Sequence, residues 1–396
     1  MRYRFKDVVI DSRTGLNPRK NFVLGNGENN YITIKDIYNG QINITDKTNK
    51  VDDDAIQIIK KRSRIKVGDV LFVSIGRIGE TAIVTAKDDT WDVNESVFVF
   101  TINREIITAE YFCMLFQSDA VQKYLTGNSS GSTFKSIKMN QLEKMIFDLP
   151  PLTVQKEITA KLSRLKLICS LRTSELMHLD DLIKARFVEL FGDPVSNSKG
   201  WETYQLDDCL KRIDNGKSFV CSDKPRIGSY PAVLRLSAAT YGDYRPNENK
   251  ALLDESQFVE GAEVHPGDLL FTRKNTPELV GMAAYVQETP EKLMMPDLIF
   301  RLVPNEKMNP VFLWQLINCK EFRSTIQGIS GGSAKSMSNI SKERLGKIRV
   351  ICPPRVLQDE LDRFIAQVDK SKLLISVIIA FIQSRNLQHR FYLRLL

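Results

Sequence analysis

The sequence has few of the residues from which metal sites and disulfide frameworks are built. Its three histidines lie far apart, and its six cysteines include no C-x-x-C pair. Structural zinc sites and disulfide-rich scaffolds need such residues at short, regular spacings. We therefore predict no metal site, and we expect the cysteines to be reduced and mostly buried.

Long apolar runs are also absent. The most apolar window, LLISVIIAFI at residues 373–382, has about half of the roughly 20 residues that a membrane-spanning helix needs. This window therefore predicts a buried helix face. The first residues, MRYRFKDVVID, are charged from the second position onward, which argues against a signal peptide. Together these observations predict a cytoplasmic protein.

Two stretches resemble a phosphate-binding loop, but both lack a required glycine. The motif G-x-x-x-x-G-K-[ST] places glycine directly before lysine so that backbone amides can surround a phosphate. Ala334 has that place in GISGGSAKS (328–336), and Phe134 has it in GNSSGSTFKS (127–136). We interpret the two stretches as copies of one element with another role.

The motifs of DNA-modifying enzymes are missing as well. An adenine methyltransferase needs an amide or carboxylate before a double proline and an aromatic residue after it, whereas the double prolines here read LPPL (149–152) and CPPR (352–355). A restriction-type nuclease needs a PD pair followed by (D/E)-x-K to hold a metal. The one PD pair, Pro296-Asp297, has no such partner downstream. The sequence predicts no catalytic residue.

What the sequence does have is positive charge and an internal repeat. The formal net charge is +8 and the pI is about 9.0, which favours a polyanionic partner. VGDVLFVS from Val67 is repeated as PGDLLFTR from Pro266, and LEKMIFDLPPLTVQKEI from Leu142 as LGKIRVICPPRVLQDEL from Leu345. The offset stays near 200 throughout, so the pattern indicates one tandem duplication of nearly the whole chain.

Each copy predicts an α+β globular domain followed by a long helix. Short β-rich runs and one helical segment precede the double proline, after which apolar residues recur at steps of three and four until Gly192 and Pro194. Helices of about 40 residues would be roughly 60 Å long. Because such one-sided helices need a partner, we predict that the two form an antiparallel coiled-coil spacer. The predicted segments are 1–150, 151–193, 194–353 and 354–396.

This order of features, written twice, resembles the specificity (S) subunit of type I restriction-modification enzymes. The shared features are a β-rich domain, a Ser/Gly stretch, a double proline and the motif Gln-x-Glu-Ile/Leu. The resemblance implies that residues 1–150 and 194–353 are target recognition domains, each reading one half of a split site in double-stranded DNA. It implies that the helices set the spacing between the halves.

The resemblance also implies the partners. Two methyltransferase subunits, and restriction subunits in the full complex, would carry the catalysis together with S-adenosylmethionine, ATP and Mg²⁺, and this chain would bind no cofactor. The helix motifs supply the residues that we predict at the partner interface: Gln155, Glu157, Gln358 and Glu360.

The Ser/Gly stretches match the loops that end each recognition domain, where small hydroxyl residues and lysines can approach a phosphate backbone closely. The predicted DNA-contacting residues of these loops are Ser132, Thr133, Lys135, Lys138, Ser333, Lys335 and Ser336. Four further candidates follow predicted strands: Lys35, Arg77, Arg273 and Lys274. The alternatives are a flexible hinge for the loops and solvated surface charge for the other residues.

A different class of function also fits the repeat, namely a pseudo-symmetric scaffold whose two domains bind proteins. The net charge and the duplicated Ser/Lys loops favour DNA over this alternative, and the salt dependence of binding would separate the two. A free-standing nuclease or methylase is disfavoured by the missing motifs.

Overall fold

The structure is a computed structural model that describes residues 1–19, 21–131, 134–331 and 337–384, with side chains to residue 382. The chain divides into two compact units. Unit 1 comprises Met1–Thr173 together with the segment from Val377 onward, and unit 2 comprises Ser174–Ser376. Helices and strands are mixed in both units, so the predicted α+β class is confirmed.

Unit 1 begins with eleven strands and five short helices, followed by the first part of a long helix. Their bounds are β1 Arg2–Arg4, α1 Phe5–Val8, β2 Val9–Thr14, β3 Asn29–Ile32, β4 Ile37–Tyr38, β5 Gln41–Ile42, β6 Asn49–Val51, α2 Asp53–Ser63, β7 Val70–Val73, β8 Thr81–Ile83, β9 Trp91–Val93, β10 Val97–Ile102, α3 Ala109–Phe116, α4 Asp119–Asn128, α5 Met139–Leu142, β11 Ile146–Asp148 and α6 Leu152–Phe191.

An antiparallel sheet with the order β2-β10-β7-β8 forms the centre of unit 1. The runs VLFV of β7 and VFVFTI of β10 are apolar at nearly every position because both strands are buried. A second sheet has the order β6-β3-β9, and β1 pairs with β11 so that the beginning and the end of the domain lie together. Helix α3 begins where the Thr108 hydroxyl accepts a hydrogen bond from the Tyr111 amide at 3.1 Å.

Unit 2 repeats the main strands and the later helices of unit 1, but within the described residues it has no equivalent of α2 or of the β4–β5 pair. It adds two short strands, Lys274–Asn275 and Ser338–Asn339, that pair with each other. Their bounds are β12 Thr203–Gln205, β13 Leu210–Asn215, β14 Ala232–Leu234, β15 Asn249–Ala251, β16 Leu269–Thr272, β17 Lys274–Asn275, β18 Ala283–Tyr285, β19 Leu293–Met294, β20 Ile299–Pro304, α7 Pro310–Asn318, α8 Lys320–Gly328, β21 Ser338–Asn339, α9 Lys342–Gly346, β22 Arg349–Ile351 and α10 Arg355–Ser384.

The main sheet of unit 2 has the order β13-β20-β16-β18, and a second sheet has the order β15-β14-β19. These orders match those of unit 1 strand for strand. One close approach is shared as well, because a Cβ at Gly15 would lie 1.7 Å from the Val93 carbonyl oxygen and one at Gly216 would lie 1.9 Å from that of Pro296. A larger side chain at either glycine would force the backbone apart.

The two long helices are continuous over Leu152–Phe191 and Arg355–Ser384. Within unit 2 their segments run antiparallel, since Arg186 contacts Glu360 at 2.5 Å and Asp180 contacts Lys372 at 2.5 Å. Buried apolar residues of both segments join the main core of that unit. Within the described residues, no helix has the length and apolar character needed to cross a membrane.

The prediction of a buried helix face at 373–382 is confirmed for one side of α10, where Ile375 is buried and Ile378 and Ile382 are half-buried. By contrast, more than half of the surface is exposed at Leu373, Leu374, Val377 and Phe381. All six cysteines are free thiols, and of these Cys209 alone is fully buried while the others are half-buried.

Candidate nucleic-acid interface

In unit 1 the β7–β8 loop is hydrogen-bonded to the segment that carries two of the predicted lysines. The Gly76 amide donates to the Lys135 carbonyl oxygen, and the Ile137 amide donates to the Ser74 carbonyl oxygen, each at 2.9 Å. The exposed Lys135 therefore lies beside the β7–β8 loop. Lys138, also exposed, directly precedes α5 and follows the same segment.

Arg77 connects this loop to a third one, which follows β3. Its Nη2 atom donates to the carbonyl oxygens of Ile34 at 2.8 Å and Ile37 at 3.0 Å. The guanidinium also lies 5.8 Å from the centre of the Tyr38 ring. Because Lys35 follows Ile34 directly, the tertiary structure brings Lys35, Arg77 and Lys135 onto three adjoining loops.

The four cations of this surface are Lys35, Arg77, Lys135 and Lys138, and all are exposed. Within the described part of the chain, no carboxylate forms an ion pair with any of them. Their charges are therefore available to phosphate groups, which Lys and Arg bind without regard to base sequence. We call these residues the unit 1 cation cluster.

In unit 2 the predicted Arg273 lies in the equivalent loop and is more enclosed. Its amide donates to the Leu298 carbonyl oxygen at 3.0 Å, and its carbonyl oxygen accepts from the Ile340 amide at 2.8 Å. The guanidinium lies 4.8 Å from the centre of the Phe300 ring, and its Nη2 donates to Asn339 Oδ1 at 3.3 Å. Its Nε is buried and has no hydrogen-bond partner within the described residues.

Two further cations lie near Arg273. Lys274, which the sequence predicts, is half-buried in β17 and pairs with Asn339 of β21. Lys342 is not among the predicted residues, and its amine lies 5.7 Å from the Phe300 ring and binds the Ile213 carbonyl oxygen. In the sequence, Lys342 could have been identified only by its position shortly after a short strand. No local pattern indicated that its amine lies near the Phe300 ring.

The same hydrogen bonds define which positions of the two units correspond. Ile137 and Ile340 each donate to the residue that follows the central strand β7 or β16, which is Ser74 in unit 1 and Arg273 in unit 2. The five remaining loop candidates lie outside the described residues: Ser132, Thr133, Ser333, Lys335 and Ser336. DNA contact by all eleven candidates stays a prediction.

The structure corrects the predicted role of the two glutamines. Gln155 is fully buried: its Oε1 accepts from the Thr108 amide at 3.1 Å, and its Nε2 donates to the carbonyl oxygens of Ile106 and Pro150. These bonds fasten the start of α6 to the globular domain. A side chain with no exposed surface cannot bind a partner, so the predicted partner contact of Gln155 is wrong.

Gln358 is fastened in the same way in unit 2. It is fully buried, accepts from the Asn309 amide at 2.8 Å, and donates to the carbonyl oxygens of Lys307 and Pro353. The glutamine of the Gln-x-Glu motif therefore has a structural role in both units, because it joins the start of the long helix to the globular domain. Glu157 is exposed and pairs with Lys161 on its own helix, and its predicted partner contact stays open, as does that of Glu360.

Similarity to known proteins was found in sequence and in fold. A family model of the type I restriction modification DNA specificity domain matches residues 2–176. The specificity subunit of the type I restriction enzyme EcoEI from Escherichia coli is 30% identical over 161 residues, which cover 40% of this chain and 27% of that protein. The EcoKI specificity subunit from Escherichia coli strain K12 is 21% identical over 285 residues, which cover 67% of this chain and 59% of that protein.

The matches thus span less than two thirds of each of these relatives. Two solved structures have a similar fold. One comes from work on complex assembly and conformational transition of the type I R-M system. It has a TM-score of 0.58 at 18% sequence identity, and the match covers 98% of this chain and 95% of that chain. The other, the S subunit of a type I restriction-modification system from M. genitalium, has a TM-score of 0.53 at 13% identity and covers 96% and 94%.

Proposed function

We propose that the chain is a specificity subunit of a type I restriction-modification system and directs that system to its DNA target; the similarity of residues 2–176 to the type I restriction modification DNA specificity domain, and of the chain to the EcoEI and EcoKI specificity subunits, supports this proposal. Each unit recognises one half of a bipartite site in double-stranded DNA. The observation that carries this proposal is the unit 1 cation cluster, in which three adjoining loops expose four cations without ion pairs in the described chain. Loops fixed by backbone hydrogen bonds can hold such cations in register with phosphates.

The chain itself is the non-catalytic subunit. Methylation belongs to methyltransferase subunits that bind S-adenosylmethionine, and cleavage belongs to restriction subunits that use ATP and Mg²⁺; this chain binds none of these cofactors. Two methyltransferase subunits accompany one chain, since the duplicated domains offer each of them an equivalent place.

The long helices act as a spacer that sets the distance between the half-sites. The antiparallel ion pairs of Arg186 with Glu360 and of Asp180 with Lys372 support this role, because they fix the register of the two helix segments in unit 2. The exposed Leu373 and Leu374 supply apolar surface on α10 for a partner subunit.

The test is to co-express the chain with a type I methyltransferase subunit and to map methylated adenines by single-molecule sequencing. We expect a split motif that appears only when both proteins are present. Exchange of residues 1–150 for those of another specificity subunit should change one half of the motif and leave the other intact. A stable complex that neither methylates nor binds DNA would favour the scaffold function instead.

A further inference from the structure

Each unit exposes one large apolar side chain at the same place in the loop that follows its small helices. Phe134 is 70% exposed and lies three residues before the buried Ile137. Met337 is 52% exposed and lies three residues before the buried Ile340. Because the two isoleucines correspond, Phe134 and Met337 occupy equivalent positions, although nothing in their local sequences aligns them.

Phe134 lies between two residues, Ser130 and Ser136, whose backbones are hydrogen-bonded to each other. The amide of Ser130 donates to the Ser136 carbonyl oxygen at 2.9 Å, and the reverse bond is 2.8 Å long. Between them, Gly131 has a φ of 116°, and a Cβ there would lie 2.3 Å from the Phe134 carbonyl oxygen. A side chain at position 131 would therefore collide with the Phe134 backbone, and the Phe134 ring is exposed to solvent.

In unit 2 an equivalent pair of residues is joined by backbone hydrogen bonds. Gly331 and Asn339 exchange two backbone hydrogen bonds of 2.8 Å, and Met337 lies two residues before Asn339. The half-buried Lys274 pairs with Asn339 on its other side. In both units, then, an exposed apolar side chain lies close to the strand end that carries the predicted DNA contacts.

The charges around Phe134 indicate what covers it. Lys135 is its neighbour in sequence, and Arg77 lies in the loop to which Lys135 is bonded. Protein interfaces are depleted in lysine at their cores, whereas DNA surrounds each base step with phosphates. Phe and Met are also among the apolar side chains that DNA-binding proteins insert between bases.

Building on the proposed DNA-binding function, we propose that Phe134 and Met337 are apolar wedges that insert at a base step of the respective half-site and partly unstack it. The neighbouring cations hold the phosphates on either side of the opened step. Each wedge thereby adds a contact with bases to a surface that otherwise offers charge.

The experiment uses the chain in complex with its methyltransferase subunits and a duplex that carries the methylated motif. Affinity is measured by fluorescence anisotropy at several salt concentrations. Phe134→Ala should weaken binding roughly tenfold, the effect of losing one base-stacking contact. The slope of log affinity against log salt should not change, because no phosphate contact is lost. Phe134→Leu should restore part of the affinity.

A second readout reports unstacking directly. The fluorescence of 2-aminopurine placed at successive positions of the half-site should rise at one step when the unaltered complex binds, and it should not rise with Phe134→Ala. The matched control is Val67→Ala, which trims an apolar side chain that is 60% exposed before the opposite end of β7. For Met337→Ala the control is Ile227→Ala, a residue that is 91% exposed in the same unit.

The outcomes separate the wedge from the function on which it rests. If the unaltered complex binds no DNA, the proposed function fails and the wedge fails with it. If the complex binds DNA but Phe134→Ala matches the Val67→Ala control in affinity and in 2-aminopurine signal, the wedge alone is overturned. A loss of affinity that comes with a lower salt slope also overturns it, because Phe134 would then act by positioning Lys135.

Discussion

The two units neutralise equivalent carboxylates, that of Asp69, which is buried, and that of Asp268, which is half-buried, with arginines from different strands. In unit 1, Asp69 accepts from Arg13 of β2 at 2.8 Å; in unit 2, Asp268 contacts Arg301 of β20 at 3.0 Å. Both aspartates directly precede a central strand, and both accept a backbone amide from the residue three positions earlier. Burial raises the pKa of Asp268, and the His265 amide and the charge of Arg301 oppose that rise.

The strand registers show that the arginine occupies different strand positions in the two units. Arg13 lies opposite Val99 in unit 1, whereas Asp214 lies opposite Arg301 at the same pair of positions in unit 2. The fold therefore requires a positive charge beside this aspartate but not at a fixed position of the repeat. Aligning the copies residue by residue would assign the role of Arg13 to Asp214, which has the opposite charge.

A second difference lies in the loops of the predicted DNA surface. Gly79 donates to the Val73 carbonyl oxygen and Gly281 donates to that of Thr272, which closes the loop after the central strand in each unit. The loops between them are residues 74–78 and 273–280, so that of unit 2 is three residues longer. The main sheets match while the loops differ, as expected if the two units read different half-sites as proposed.

The largest expected effect comes from removing either arginine. Arg13→Met should destabilise unit 1 by about 3–5 kcal/mol, because the buried Asp69 carboxylate loses its partner. Arg301→Met should destabilise unit 2 by less, because the half-buried Asp268 keeps some contact with water. Hydrogen exchange with mass spectrometry should show faster exchange in β2 and β10 for the first variant and in β13 and β20 for the second. Arg212→Met, which removes an exposed arginine of unit 2, is the control that should change little.

A strand exchange sharpens this comparison. The double variant Arg13→Val with Val99→Arg gives unit 1 the arginine position of unit 2 and should recover part of the lost protection. If the double variant is no more protected than Arg13→Met, then the position of the arginine matters as well as its charge.

A smaller and equal effect is expected from the two buried glutamines. Gln155→Leu and Gln358→Leu should each cost about 1–3 kcal/mol, because a buried amide and two carbonyl groups lose their partners. The measurement is exchange at the Thr108 amide for the first variant and at the Asn309 amide for the second. The control is Glu157→Gln, since Glu157 is exposed. If the Thr108 amide lost as much protection from exchange in this control as in Gln155→Leu, the structural role of the glutamine would be contradicted.

The smallest effect concerns single phosphate contacts. Lys35→Ala in unit 1 and Lys274→Ala in unit 2 should each weaken DNA binding and lower the salt slope by about one. Lys6→Ala is the matched control, since Lys6 is exposed but pairs with Glu143. A reduced slope for Lys35→Ala alone would mean that the half-buried Lys274 makes no phosphate contact.

Much of the fold was predictable because its signals are local. The continuous apolar runs of β7 and β10 predict buried strands, and the steps of three and four after the double proline predict a long helix. That helix ends at Phe191, directly before Gly192, whose φ of 72° suits glycine. The family resemblance rested on the order of such local features.

The candidate site was predictable only in part, because its contacts join distant segments of the chain. Lys35, Arg77 and Lys135 were each identified by their place after a strand or in a Ser/Gly stretch. Their assembly on adjoining loops depends on hydrogen bonds that no periodicity reports. The exposure of Phe134 was likewise not predictable from its residue type, because phenylalanine is usually buried.

The sequence by itself determined the duplication, the α+β class and the long helix that follows each domain, because repeats, apolar spacing and helix-ending residues act between near neighbours in the chain. Only the tertiary structure decided that Gln155 is buried, that Arg13 and Arg301 serve one role from different strands, and that scattered cations form a surface. These outcomes depend on which side chains meet across strands and loops, where burial and charge pairing compete over long separations in sequence.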